Sequence, residues 1–182
     1  MKKFLYVVTL CLFMFWTQQA SANRLLDKPT SVNAHLGSTS PQGVLGVTLD
    51  HQFTESFALN AGMGRGITGY QLALMSRFQV TRHDWAFGLG VGPSAGDYDE
   101  PFASIGFGSH KSVTADLVVW GNVEGYMVFQ EHDGLRASVY VGCTSPLAAS
   151  NVRQGDYALG ESAIPESGRL TPYLGVSVGR AF

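Results

Sequence analysis

The chain has 182 residues, 45% of them hydrophobic and only 14% charged, and its formal net charge is −2. That balance gives no electrostatic case for nucleic acid as a partner. A mean hydropathy of +0.07, with one apolar run at the start and no second, excludes a helical membrane bundle. It does not exclude a β-barrel, whose apolar and polar positions alternate and cancel in any averaging window.

Met1, Lys2 and Lys3 form a short basic start to an apolar run over residues 4–16, and Ala20-Ser21-Ala22 follows as a small-x-small cleavage pattern. Thirteen apolar-rich residues fall short of the about 20 that a spanning helix needs. Residues 1–22 are therefore expected to be a cleaved secretory signal and residues 23–182 the mature domain. Leu10 stands before Cys11 where lipidation requires a small residue. Cleavage would remove Lys2 and Lys3, taking the formal charge to −4, and would leave Cys143 without a partner for a disulfide.

From residue 31 onward the sequence alternates with a period of two in segments separated by turn residues, the signature of a barrel wall. Strand one, residues 31–38, opposes Val32, Ala34 and Leu36 to Asn33, His35 and Gly37. Strand two opposes Leu45, Val47, Leu49 and Phe53 to Gly46, Thr48, Asp50 and Gln52, and strand three opposes Phe57, Leu59, Ala61 and Met63 to Ala58, Asn60, Gly62 and Gly64. In strand four Tyr70, Leu72, Leu74, Phe78 and Val80 face away from Gln71, Ala73, Met75, Arg77 and Gln79. Strand five sets Trp85, Phe87, Leu89 and Val91 against Ala86, Gly88, Gly90 and Gly92, glycines that leave room for large side chains such as Trp120 and Tyr126. After a polar stretch over residues 93–114, strand six covers residues 117–130 and sets Val123, Met127 and Phe129 against Asn122, Glu124 and Tyr126. Strand seven opposes Leu135, Ala137, Val139, Val141 and Cys143 to Arg136, Ser138, Tyr140 and Gly142. A second long connection, residues 145–171, leads to the closing strand over residues 172–182.

The large apolar set is uniform, while the opposite set is Gly, Ser, Asn and Gln with isolated charges. A soluble barrel lined by the apolar set would show water an exterior of glycines with little charge. The fold expected is all-β, a single antiparallel up-and-down transmembrane barrel of eight strands, with ten as the alternative if residues 102–109 form strands of their own. Short turns at residues 54–56, 82–84 and 131–134 alternate with connections of which two are long, which places both termini and the short turns on one side, the periplasmic one. Phe53, Phe57, Phe78, Trp85, Phe129 and Phe182 then form an inner aromatic girdle.

The closing strand carries Leu174, Val176, Val178 and Phe182 on one face and Gly175, Ser177, Gly179 and Ala181 on the other. It resembles the closing strand of bacterial outer-membrane β-barrels, small members of the OmpX and OmpA-barrel class included. In that family a C-terminal Phe and alternate apolar residues are read by the barrel-assembly machinery. The resemblance implies an outer-membrane location, contact with outer-membrane lipid and lipopolysaccharide, and an assembly signal at Phe182, Val178, Val176 and Leu174. Arg180 departs from the family pattern, but a cation costing about 2–4 kcal/mol at the bilayer midplane costs about 0–1 near the interface.

Asp50, Arg77, Glu124 and Arg136 fall on the lumen side of strands two, four, six and seven, within a slab roughly 10–15 Å deep. An eight-stranded lumen is just wide enough for side chains to fill it, so these charges are expected to pair as a structural core, with Gln52, Gln71, Gln79, Asn122, Tyr126 and Tyr140 satisfying the rest. The alternative role for the cluster is a gate on a narrow pore.

His110, Ser112 and Glu124 resemble the base, nucleophile and orienting acid of the lipid A deacylase barrels, which hydrolyse an acyl ester of lipid A. Val113 departs from that family's Asn, and if residues 112–124 form one strand, Ser112 and Glu124 lie about 40 Å apart. The chain is therefore expected not to be an enzyme and to need no cofactor. His35, His51, His83 and His132 show no spacing suited to a metal. The functional expectation is a barrel with a packed polar lumen that has a structural or surface-recognition role through external loops at about residues 93–114 and 145–171. A narrow pore and a lipid A hydrolase are the alternatives, and no sequence feature names an external ligand.

Overall fold

The protein is described by a computed structural model that covers residues 24–66, 69–99, 113–151, 153–154, 157–158 and 170–182. After one helical turn, α1 (Arg24–Asp27), the strands are β1 (Thr30–Ser38), β2 (Leu45–Thr54), β3 (Phe57–Arg65), β4 (Tyr70–Arg82), β5 (Trp85–Asp99), β6 (Val113–Gln130) and β7 (Leu135–Ser150). They are followed by β8 (Arg153–Gln154), β9 (Tyr157–Ala158) and β10 (Thr171–Ala181). Each of β1 to β6 pairs antiparallel with the next, and β10 pairs with both β7 and β1, so eight strands close into an up-and-down barrel. The pair β8 and β9 lies outside the wall, with β8 adding to the outer end of β6.

Sidedness follows the period of two. Leu36, Leu45, Met63, Leu72, Leu89 and Val141 are exposed on the outer face, with Leu89 at 66%, while Asn33, Asn60, Gln79 and Glu124 on the inner face are each 1–2% exposed. The side chains that fill the centre are mostly polar, with Met75 and several alanines among them, and the exterior is apolar. At the end with the short turns, Phe53, Phe57 and Phe78 lie in sequence with centroids 5.8 and 5.5 Å apart, and Trp85 stacks on Phe87 at 5.6 Å. The ring of Phe182 points outward at 66% exposure, while its backbone N–H donates to the Thr30 carbonyl at 2.8 Å.

The structure differs from the sequence reading in where strands end. The polar stretch from Pro93 was expected to be loop, yet β5 continues to Asp99, β6 starts by Val113 and β7 runs on to Ser150. Gly92-Pro93-Ser94-Ala95-Gly96 lacks bulky outward residues and so carries no membrane alternation, but above an apolar belt a strand needs only ladder partners, and β5, β6 and β7 supply them to one another. Pro93 has no N–H, and the β4–β5 ladder lapses there, between Ala73 paired with Ser94 and Ser76 paired with Val91. Residues 102–109 lie outside the described residues.

Both ends of the lumen are filled. At the short-turn end Leu25 of α1 is fully buried against Ala86 and Val128, and the Arg24 carbonyl accepts from Gln130 Nε2 at 2.6 Å. At the other end the β1–β2 connection folds inward and buries Ser40, Pro41 and Gln42. Gly43 makes that turn at φ +87°, where an L side chain is disfavoured and a Cβ would also lie 2.7–2.9 Å from Arg65 backbone atoms.

The seam is tightest at Gly179, where a Cβ would lie 2.0 Å from the Val32 carbonyl oxygen and 2.4 Å from Asn33 Cα. Backbone cannot give way there without parting β1 from β10. Gly179→Ala is expected to destabilise the folded barrel in detergent micelles by about 1–3 kcal/mol, read as a lower urea midpoint. Gly125→Ala, whose Cβ would meet only the Val141 carbonyl at 3.9 Å, is expected to stay within about 0.5 kcal/mol of the parent.

Candidate functional site

The lumen gathers the charged residues around one guanidinium. Arg77 on β4 donates from Nη1 to Asp50 Oδ1 on β2 at 2.7 Å and from Nε to Glu124 Oε1 on β6 at 2.9 Å, with all three side chains almost fully buried. Its Cζ lies 4.7 Å from the centroid of the Tyr126 ring, which adds a cation–π contact. Asp50 also accepts from Asn60 Nδ2 at 2.8 Å and from Asn33 Nδ2 at 2.6 Å, and Glu124 Oε2 accepts from the Tyr173 hydroxyl at 3.3 Å.

Register explains how residues on alternate strands can touch. Arg77 pairs with Gly90, Gly90 with Glu124, Glu124 with Gly142 and Gly142 with Tyr173, so large side chains alternate with glycine across β4, β5, β6, β7 and β10. A Cβ on Gly90 would lie 2.7 Å from Glu124 Cγ, and one on Gly142 would lie 2.6 Å from Tyr173 Cζ. Of the glycines of strand five, Gly90 thus makes room for Glu124, and none does so for Trp120, which is only half-buried at the outer end. At Gly88, the partner of Tyr126, a Cβ would instead strike the Phe78 carbonyl.

Of the four charges expected to meet, the structure brings three into contact. Arg136 is buried but makes no ion pair among the described residues; its Nη1 donates to Ser31 Oγ at 3.3 Å and its Nε has no partner. Ser31 accepts from Asn33, which bonds Asp50, so Arg136 joins the cluster only through two neutral groups. Gln52, Gln71 and Asn122 do not solvate the charges. Gln52 bonds the Thr54 carbonyl, and Asn122 donates to Ser94 Oγ and the Gly92 carbonyl, both at 3.0 Å. Gln79 accepts from the Tyr126 hydroxyl at 2.7 Å.

A second network ties the inward-folded connection to the same cluster. Gln42 Nε2 donates to Asn60 Oδ1 at 2.9 Å, and Asn60 in turn bonds Asp50. Ser40 Oγ lies 2.8 Å from His35 Nε2, whose ring also meets the Tyr140 hydroxyl. Sequence reasoning passed over Tyr173, although it shares the parity of Gly175 and Ser177. It also passed over Ser40 and Gln42, which sit in a turn where period two gives no signal.

His110 and Ser112 lie outside the described residues. Glu124 sits inside the lumen, and β6 carries it eleven residues, roughly 36 Å of strand, from its outer end at Val113. Leu174, Val176, Val178 and Phe182 all point out of the barrel. No group of three or more His, Cys, Asp or Glu side chains suited to a metal occurs among the described residues.

No family model and no curated protein matches the sequence. Among solved structures, the N-terminal β-barrel domain of Pseudomonas aeruginosa OprF is similar to this chain with a TM-score of 0.54, at 10% identity, covering 85% of this chain and 98% of that one. The fold is that of an outer-membrane β-barrel. Acinetobacter baumannii CarO is a more distant neighbour, with a TM-score of 0.40 at 14% identity over 85% of this chain and 98% of its own. Within an outer-membrane barrel fold of eight strands the lumen holds side chains and little else, which fits the paired interior found here.

Replacing Arg77 alone leaves two carboxylates buried without their cation. Arg77→Met is expected to cost about 3–5 kcal/mol in detergent-micelle unfolding. Adding Asp50→Asn and Glu124→Gln to it is expected to recover most of the loss, which separates the charge term from lost packing.

Proposed function

We propose that the mature chain is a small outer-membrane barrel with a closed lumen, which acts through the sheet that projects from its outer end. The observation that carries this reading is strand length. β1 and β3 have 9 residues each, while the neighbours β5, β6 and β7 have 15, 18 and 16. Against β1 and β3 the excess is six or more residues, about 20 Å measured along the tilted strands. There Tyr98 and Trp120 pack on a buried cluster of Ala115, Val118 and Ala149, so the projection has a small core of its own.

Residues 1–22 act in this reading as the secretory signal, the short turns face the periplasm, and lipid and lipopolysaccharide surround the wall. Leu174, Val176, Val178 and Phe182 form the strand that the assembly machinery reads. A non-enzymatic role is supported by Glu124, whose carboxylate is committed to Arg77 and Tyr173. Trimming residues 97–116 and 146–157 to tight turns is expected to leave heat-modifiable folding intact and to abolish binding of the nanodisc-held barrel to cell surfaces; retained binding overturns the recognition role.

The polar lumen favours a narrow pore as the second reading, because Asn33 Oδ1, Asn122 Oδ1 and Arg136 Nε are buried without a partner among the described residues. The two readings part in a planar bilayer. With Leu25 and the Ser40–Gln42 turn closing the ends, wild-type protein is expected to stay silent. A steady conductance that changes on Glu124→Gln replaces the closed-lumen reading with the pore.

A further inference from the structure

On the outer wall, a shallow apolar groove of about 480 Å³ crosses β2 to β5, within the size range of small-molecule sites. Register gives its construction. Val47, Met63, Leu72 and Ala95 are partners in one row across the four strands. One step lower, Leu49, Ala61 and Leu74 form the next, and Pro93 borders it where the β4–β5 ladder lapses. Ala61 and Ala95 are short among Leu and Met, so the two rows make a trough in a surface otherwise studded with large side chains.

The row above the groove is different in kind. There Arg65, exposed at the end of β3, pairs with Tyr70, and its guanidinium carbon lies 5.6 Å from the centre of that ring. Arg65 is in no ion pair among the described residues. The nearby Asp97 carboxylate instead accepts the Tyr70 backbone N–H. Arg65 stands eight residues from Phe57 of the aromatic girdle, about 26 Å along a strand tilted by about 40°, which spans most of an apolar band about 25 Å tall. The cation and its aromatic neighbour are therefore at the opposite interface, directly over the groove.

We propose that this is a lipid site of the outer leaflet, occupied by a phosphorylated, acylated saccharolipid of the lipid A type. Its phosphate meets the Arg65 guanidinium, and one acyl chain lies in the trough over Ala61. Every other face of the wall also meets acyl chains, but here a cation in no ion pair among the described residues caps an apolar trough. An arginine fork matches a phosphate by charge and by paired N–H donors. The assignment rests on the membrane placement and orientation proposed above.

The test folds wild-type, Arg65→Gln and Ala61→Phe chains into phosphatidylcholine vesicles containing either lipid A or phosphatidylglycerol. The vesicles are then dissolved in mild detergent, and the lipid left on the barrel is counted by native mass spectrometry. One lipid A per wild-type barrel is expected, about tenfold weaker retention with Arg65→Gln, the size of one lost charge-assisted contact, and none with Ala61→Phe. Phosphatidylglycerol is expected to wash away. Equal lipid A retention by all three proteins, or phosphatidylglycerol held as firmly as lipid A, overturns the site and leaves the membrane reading standing, because all three will have inserted. A wild-type chain that does not enter vesicles overturns the membrane reading and the site together. Met63→Trp fills the trough from its rim and serves as the second variant should Ala61→Phe fail to insert.

Discussion

A wall one strand thick with an apolar outer face has to satisfy its own backbone, because hydrocarbon offers no hydrogen-bond partner to an open edge. Pairing β1 with β10 meets that requirement, and much of the sequence is shaped to allow it. The terminal Phe182 is inside the seam by its backbone, bonded to Thr30, while its ring remains outside. Gly179 lets the two strands approach to a distance that no Cβ would permit. Where Pro93 removes a donor, the loss falls at a lapse in one ladder, and Pro93 keeps its place beside Gly121 in the other.

Closure creates the second problem, a narrow interior that must be filled without voids and without unpaired charge. The answer is alternation around the barrel as well as along each strand. Arg77, Glu124 and Tyr173 occupy every second strand of one ring, and Gly90 and Gly142 occupy the strands between. One guanidinium between two carboxylates leaves an excess negative charge, and Arg136 supplies the opposing one through Ser31 and Asn33 instead of by contact. A buried ion pair is weak evidence for stability in itself, since desolvation offsets much of the attraction. Here it fixes geometry: through Asn60 and Gln42 the same carboxylate that holds Arg77 anchors the connection closing the outer end.

Period-two alternation carried most of this in the sequence. Which residues face out could be read for Val32, Leu49, Phe78, Leu89 and Val176 because a membrane wall imposes one rule on every strand. The meeting of Asp50, Arg77 and Glu124 was legible from parity and depth alone. Parity fails where the chain leaves the belt. Ser40 and Gln42 turn inward from a connection, Leu25 enters from a single helical turn, and β5 runs on through Gly-Pro-Ser-Ala-Gly with nothing greasy to mark it. Parity also says which side chains share a space, not which of them bond. Asn60 and Tyr173, rather than the expected glutamines, solvate the charges because register sets them level with Asp50 and Glu124, and Asn33 reaches Asp50 diagonally from its place opposite Thr48.

The division of the molecule follows. Inside the wall, Arg77, Asp50 and Glu124 already hold one another, so a solute entering that part of the lumen would have to break Arg77 from a carboxylate in a low-dielectric interior where neither can stand alone. New contacts are cheaper on surfaces that already meet lipid or water. The projecting ends of β5, β6 and β7 are such a surface, and their packing on Ala115, Val118 and Ala149 gives them a shape before any partner arrives. A platform ordered in advance loses less conformational entropy on binding than a loop ordered on contact, so the strand extensions that carry no membrane signal in the sequence are the part of the fold best suited to recognition.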